Sequence, residues 1–283
     1  MVAFYLIRYL RSRLELFTMN VSVSDPDFDQ GSIFGKLLVK DALGARADGW
    51  TRSDAKDCCY ISWFNLEWHE PLGISYDSLI PFGDPSCHRS VPVSSSVEVD
   101  LLLHGMSESK DQCYLIFHGK RNEPLSKFWE EEPKTKCGTL EFESDIGRVL
   151  VNFILLKEVV DASMDVTFRL SNPGDPVEIC GSIMVALYGG NVVKDDILGQ
   201  YKATTFRTKK FKLIGNQVVL PLHRSLLAVP AGGRLKIEAL LMDVESQKEY
   251  VNVMRDYRVR QGKTDDLCIK CDYFSFNLKV ARC

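Results

Sequence analysis

Val97 to Lys120 reads VEVDLLLHGMSESKDQCYLIFHGK, and its periodicity decides the fold class. Val97, Val99, Leu101 and Leu103 alternate with Glu98, Asp100, Leu102 and His104, the period of a strand with one buried face. Gly105 to Asp111 is polar and suits a hairpin connection. Tyr114, Ile116 and His118 then alternate with Leu115, Phe117 and Gly119 on the expected partner strand. Two strands do not bury a face by themselves, so this pair requires further sheet to cover it. The stretch predicts architecture and carries no evident chemistry.

Working outward, Phe17 to Ser24, Ser32 to Ala42 and the apolar run from Cys58-Cys59 to Phe64 read as strands. Val149 to Val160 is nearly continuously apolar and predicts one central strand covered on both sides. Met164, Val166, Phe168 and Leu170 alternate cleanly before the turn chemistry of Asn172-Pro173-Gly174-Asp175-Pro176. Further strands are expected over Val177 to Tyr188, Gly199 to Phe206, Gln217 to Leu222, Leu235 to Val244, Tyr250 to Val259 and Asp272 to Ala281. Glu67 to Val93, with four prolines, reads as a long irregular connection, and Glu123 to Lys136 as a polar loop. Helix is confined to one turn at Leu222 to Leu227. The expectation is an all-β fold, an antiparallel β-sandwich that is C2-like or similar, with long loops and little helix. No repeat of fixed period is visible. The predicted organisation is an N-terminal amphipathic segment over 1–16 and a single β-rich domain over 17–283, the alternative being two lobes divided near 121–138.

The chain has 283 residues, 45% of them hydrophobic, enough for a sizeable core. A net charge of −3 gives no global field toward nucleic acid or an anionic membrane. No run approaches the roughly 18 apolar residues that a spanning helix needs, so no transmembrane segment is expected. The nine cysteines are odd in number, and Cys113 and Cys180 sit inside apolar strand patterns, which favours a reducing compartment. The opening MVAFYLIRYLRSRLELF is amphipathic, with Arg8, Arg11 and Arg13 and one acidic residue. Those three arginines fit a mitochondrial presequence better than a secretory signal, and an ordinary terminal helix or tail is the other reading. The expected location is mitochondrial in the first case and cytoplasmic otherwise. Asn20-Val21-Ser22 is a glycosylation sequon that matters only in a secreted chain.

Asp25-Pro26-Asp27-Phe28-Asp29-Gln30-Gly31 spaces three acids as a calcium loop does, but Gln30 and Lys36 stand where an EF-hand needs Gly and Glu. A solvated turn explains it better. A sandwich-end calcium site shared with Asp195-Asp196 or Asp265-Asp266 is the weaker reading. Cys268-Ile269-Lys270-Cys271 lacks the second pair that a structural zinc site requires. Trp68-His69 and Cys87-His88 fit packed loops better than ligand sets. His69, His88, His104, His118 and His223 lie in separate contexts, and no nucleophile elbow, phosphate loop, dinucleotide fingerprint or HExxH motif is present. The sequence therefore predicts no catalytic residue, no metal ligand and no cofactor, and no enzyme. Phe206 to Lys212 interleaves aromatics with Arg207, Lys209, Lys210 and Lys212, and Arg255, Arg258 and Arg260 form a second basic cluster. Such strands either hold anions or an acidic partner, or are solvated edges guarded by lysine.

Three stretches together resemble a known family. They are GKLLVKDALGARADGWTRSDAKDCC (Gly35 to Cys59), the Val97 hairpin with its EVDL strand and Glu108 to Asp111 turn, and Val149 to Tyr188. They are similar to the grass (Poaceae) family known as domain of unknown function 6598. Similar domains also occur C-terminal to ribosome-inactivating N-glycosidase modules, including the jasmonate-induced type. This chain has no recognisable N-glycosidase module, so the resemblance transfers no catalytic residue. It implies a stand-alone accessory domain in stress or defence, with a protein partner for which such a toxin is the first candidate. The predicted function is thus a non-enzymatic, regulatory protein-interaction module. The alternative is a small-ligand carrier or an enzyme whose site assembles from the Glu67 to Val93 loop and the histidines.

Overall fold

The computed structural model describes residues 12–24, 30–40, 60–75, 79–86, 91–93, 96–107, 113–125, 135–169, 177–188, 202–258, 266–271 and 274–280. Among the described residues every regular element is a strand. The chain divides into two compact units, Met1–Lys157 and Glu158–Cys283.

The first unit holds β1 (Arg13–Val23), β2 (Gln30–Lys40), β3 (Tyr60–Leu66), β4 (Leu72–Ser75) and β5 (Leu79–Pro81). It continues through β6 (Val91–Pro92), β7 (Ser96–Ser107), β8 (Cys113–Pro124), β9 (Thr135–Glu143) and β10 (Gly147–Leu156). These strands make two antiparallel sheets. One is ordered β5-β1-β10-β9 with β6 also on β1, and the other β3-β2-β7-β8 with β4 also on β2. The alternation read from the sequence sends Leu37, Val39, Val99, Leu101 and Leu103 inward from the second sheet. Met19, Val21, Val149 and Val151 meet them from the first, in one fully buried cluster. This is a β-sandwich. β1 and β10 carry buried residues on both faces, and their polar groups are paired across the strands. Asn152 donates to Thr18 Oγ1 at 3.0 Å and accepts from Thr139 Oγ1 at 2.9 Å.

The second unit holds β11 (Val159–Arg169), β12 (Val177–Tyr188), β13 (Lys202–Leu213), β14 (Gln217–Val219) and β15 (Leu226–Pro230). β16 (Arg234–Asp243), β17 (Glu249–Arg258), β18 (Asp266–Cys271) and β19 (Phe274–Val280) complete it. Its sheets are β14-β11-β19-β18, with β15 also on β11, and β13-β12-β16-β17. Phe168 of β11 meets Tyr250 of β17 edge-on at 5.6 Å, closing the second sandwich.

The two units have the same topology strand for strand, with β4 as an addition to the first. The match extends to irregularities that neither unit needs for generic reasons. Gly35 and Gly181 both have φ near +130°, at +135° and +131°. A Cβ there would lie 2.1 Å from Leu102 O in one unit and 2.0 Å from Leu240 O in the other, so only glycine fits. The ladder shifts between Leu37 and Leu38, and again between Ile183 and Met184. It shifts between Leu103 and His104, and again between Leu241 and Met242. A repeated fold with repeated bulges is a tandem duplication of one sandwich, since bulges are retained features of a family of folds. No fixed period appears in the sequence because the connecting loops of the two copies differ in length.

Five expectations change. The division lies at Lys157 and Glu158, not near 121–138. The apolar run from Val149 to Val160 is two strands, β10 and β11, broken at Glu158, which has a positive φ of 54°. The ordered body begins before residue 17: β1 opens at Arg13, and Leu14 and Leu16 are fully buried. A register shift between Leu16 and Thr18 hides their continuity with Met19 and Val21. Glu67 to Val93 contains β4, β5 and β6, which bury Ile74, Ile80 and Val91 and place Pro81 and Pro92 at strand ends. The turn at Leu222 to Leu227 is not helical and leads into β15.

Candidate functional site

The two basic clusters lie on one sheet but not on one surface. Arg207, Lys209, Lys210 and Lys212 belong to β13, one edge of the β13-β12-β16-β17 sheet, whereas Arg255 and Arg258 belong to β17, the other edge. Three strand spacings, about 14 Å, separate the edges. The register also offsets them along the strands. Arg207 is level with Ser182 and Leu240, while Arg255 is level with Ile237 and Val185, and Arg258 with Arg234 and Tyr188. Arg260 lies outside the described residues. So do Arg8 and Arg11, while Arg13 opens β1 and donates to Ser12 O at 3.3 Å.

On β13, Lys210 is tied to Glu178 at 2.8 Å. Arg207, Lys209 and Lys212 are exposed and make no ion pair among the described residues. β13 also shifts register twice, between Ile179 and Gly181 and between Ile183 and Met184. Bulges and lysines are among the features that stop an edge strand from accepting another strand. The cations of β13 are therefore available to a ligand lying over the face of the sheet rather than one added to its edge.

That outer face differs between the units. In the first, Glu98 and Asp100 of β7 meet Lys40, Tyr60 and Lys120 from the other three strands. Tyr60 Oη donates to Glu98 Oε1 and accepts from Lys120 Nζ at 3.2 Å. Lys120 also lies 3.5 Å from Asp100, and Lys40 lies 3.5 Å from Glu98. The Tyr60 hydrogen bond, followed by the nearby lysines, holds the Glu98 carboxyl below its ordinary value against the opposing pull of burial. The same phenol raises Lys120. In the second unit Glu238 stands where Asp100 stands. It takes Lys202 at 3.0 Å and Lys236 at 2.9 Å. Burial pulls its carboxyl upward, but the two lysines outweigh that and hold it below the ordinary range. The position of Lys120 is taken by Met254, which is 61% exposed.

Beside the Glu238 cluster the second unit's face carries apolar side chains. Met184 pairs with Glu238 and Ser182 with Leu240, while Cys180 pairs with Met242. Leu240 is 40% exposed, and Met184, Met242 and Cys180 are half-buried. Sequence reading missed this surface because its residues come from β12, β16 and β17 and only the register assembles them. The signal was present in Cys180, Met184 and Leu240, which break the polar phase of otherwise alternating strands.

The remaining candidates are dispersed. His104 stacks on Phe34 at 4.9 Å and lies 4.0 Å from the exposed Cys113 thiol. His118 sits opposite Leu102 on β8, and the His223 ring approaches Arg207 O at 3.3 Å. Cys268 and Cys271 lie within β18, which leads into β19. The Asp25 to Asp29 acids, Asp195, Asp196, Asp265, Cys58, Cys59, Cys87 and His88 lie outside the described residues. Among the described residues no three His, Cys, Asp or Glu side chains converge as metal ligands, and no helix is long and apolar enough to cross a membrane.

No family model matches the chain, and no curated protein does. Among solved structures it is similar to human GIVD cytosolic phospholipase A2, at 10% identity and a TM-score of 0.21, over 96% of this chain and 31% of that one. It is similar to a pair of C2 domains of extended-synaptotagmin 2, at 9% identity and 0.26, over 95% of this chain and 90% of that one. A longer form of that protein, with its SMP domain, is similar at 8% identity and 0.22, over 93% and 57%. The chain spans less than a third of the phospholipase.

Proposed function

We propose that the protein is a non-enzymatic interaction module that engages an acidic protein partner through the basic strand β13. One observation carries this reading: Arg207, Lys209 and Lys212 are exposed side by side with no ion partner among the described residues, on a chain whose net charge is −3. Elsewhere on the same sheets the lysines that face carboxylates are consumed in pairs, as at Glu98 and Glu238. A local cation row on an acidic protein steers complementary partners and discriminates against basic ones. The resemblance to the grass family suggests stress or defence regulation as the setting and makes a ribosome-inactivating N-glycosidase the first partner to examine.

The test is affinity capture from grass tissue with the full chain and with Arg207→Glu/Lys209→Glu/Lys212→Glu, followed by direct binding to a purified ribosome-inactivating protein. Specific proteins retained by the parent and lost from the triple variant support the reading. Equal retention by both, or a co-purifying small molecule with no specific protein, overturns it.

A further inference from the structure

We infer that the outer face of the β13-β12-β16-β17 sheet is a docking site for an acidic amphipathic helix. The inference rests on the protein-binding reading above and names the shape of the partner. Across the face run two adjacent rows in register, Thr204–Met184–Glu238–Met254 and Arg207–Ser182–Leu240–Asn252, with Cys180–Met242 beyond them. Met184, Leu240, Met242 and Met254 make an apolar strip that runs through Leu240 around the lysine-neutralised Glu238, and its exposed members are 40% and 61% open to solvent. Three of the chain's seven methionines lie in it, and methionine's flexible, polarisable side chain suits surfaces that mould to a partner. The strip has positive charge along its β13 side, from Arg207, Lys209 and Lys212.

An apolar strip beside a cation row matches a ligand with apolar side chains on one face and carboxylates beside them. A helix with apolar residues at i, i+3, i+4 and i+7 presents such a face. An incoming strand does not fit on the cationic side, because the register shifts and lysines of β13 leave no regular edge to extend there. The first unit supplies the contrast. At the place of Met254 it has Lys120, held by Asp100 and Tyr60 across the face, and at the place of Met242 it has His104, stacked on Phe34. Lys40 and Lys120 there are bound to Glu98 and Asp100, and β3 carries no Lys or Arg, so the first unit has neither the methionine part of the strip nor a cation row beside it.

The probe is a synthetic acidic amphipathic peptide of about 18 residues, Leu on one face and Glu beside it, long enough to form helix. A scrambled peptide of equal composition and a Glu-to-Lys version are the controls. Calorimetric titration of the full chain should show binding of the acidic amphipathic peptide alone. Leu240→Asp/Met254→Asp should weaken it at least about tenfold, the order expected when anchors at the centre of an interface are lost. Met254→Lys, which installs the residue the first unit carries there, gives the same direction if the double variant fails to fold. No binding, equal binding of the scrambled peptide, or stronger binding to phosphatidylserine vesicles overturns the inference. The two proposals fail separately. If the double variant keeps a tissue partner that the β13 charge reversal loses, the helix site is wrong and the basic-strand reading stands. If neither variant changes partner capture, the basic-strand reading falls as well.

Discussion

The outer face of β3-β2-β7-β8 and that of β13-β12-β16-β17 are the same surface built twice and finished differently. Both are carried by a positive-φ glycine, both have ladder shifts at equivalent places, and both place a carboxylate, Asp100 or Glu238, at the same point. In the first unit that carboxylate belongs to a network reaching all four strands. In the second the network stops at β16, and β17 contributes Met254. A duplicated fold keeps what its backbone requires and is free to change what only solvent touches. The glycines report the first constraint, and the exchange of Lys120 for Met254 reports where a new demand acted.

Substitutions should sort by that distinction. The largest effects are expected at the shared backbone. Gly35→Ala and Gly181→Ala each drive a Cβ into a carbonyl oxygen and add strain at φ above +130°, so each should cost about 3 kcal/mol or more. Denaturant unfolding of both variants checks this, and a mild effect at either site would break the equivalence of the two units. Asp243→Ala comes next. Its Oδ1 accepts from the Glu245 and Ser246 amides at 3.0 and 2.7 Å, and its Oδ2 accepts from Tyr250 at 3.1 Å. Losing this β16–β17 turn should cost about 1 kcal/mol, read as a lower melting temperature.

The charged clusters should matter less, and their pH dependence has a definite sign. The Ser246 amide, then the Ser246 and Tyr250 hydroxyls, hold Asp243 below its ordinary value despite opposing burial, and Glu238 and Glu98 are lowered as well. A carboxyl lowered by folding adds stability that is complete above its unfolded pKa, near 4. That stability is lost as the pH falls through the lowered folded value. Lys202→Ala/Lys236→Ala should remove less than about 1 kcal/mol at neutral pH and flatten this acid-side loss. Melting curves from pH 7 downward compare it with the parent. Lys120→Met should be the mildest change in stability, since the Lys120 side chain is itself largely exposed. Because β3 carries no cation row, the change should not create a site for the acidic helical peptide on the first unit.

Much of the fold was legible because single strands announce themselves locally. The alternation of Val97, Val99, Leu101 and Leu103 needs no partner to be read, and all four are buried as expected. The duplication was not legible. Its evidence lies in register shifts and in two glycines whose necessity appears only when Leu102 O and Leu240 O are placed beside them. The division after Lys157 was concealed by apolar residues on both sides of it. At the site, Arg207, Lys209, Lys210 and Lys212 were legible as a basic strand, but their separation from Arg255 and Arg258 depended on sheet order. Met184, Leu240, Met242 and Met254 read as ordinary strand residues until the ladder put them side by side.

Methionine-methyl NMR of the full chain, titrated with the acidic amphipathic peptide, tests the difference between the faces most directly. The signals of Met184, Met242 and Met254 should move together and saturate with the binding curve. Met19 and Met164, buried in the cores, and Met106, on β7 of the first unit, should stay in place. Movement of Met106 to the same extent, or no movement of Met254, would contradict the account.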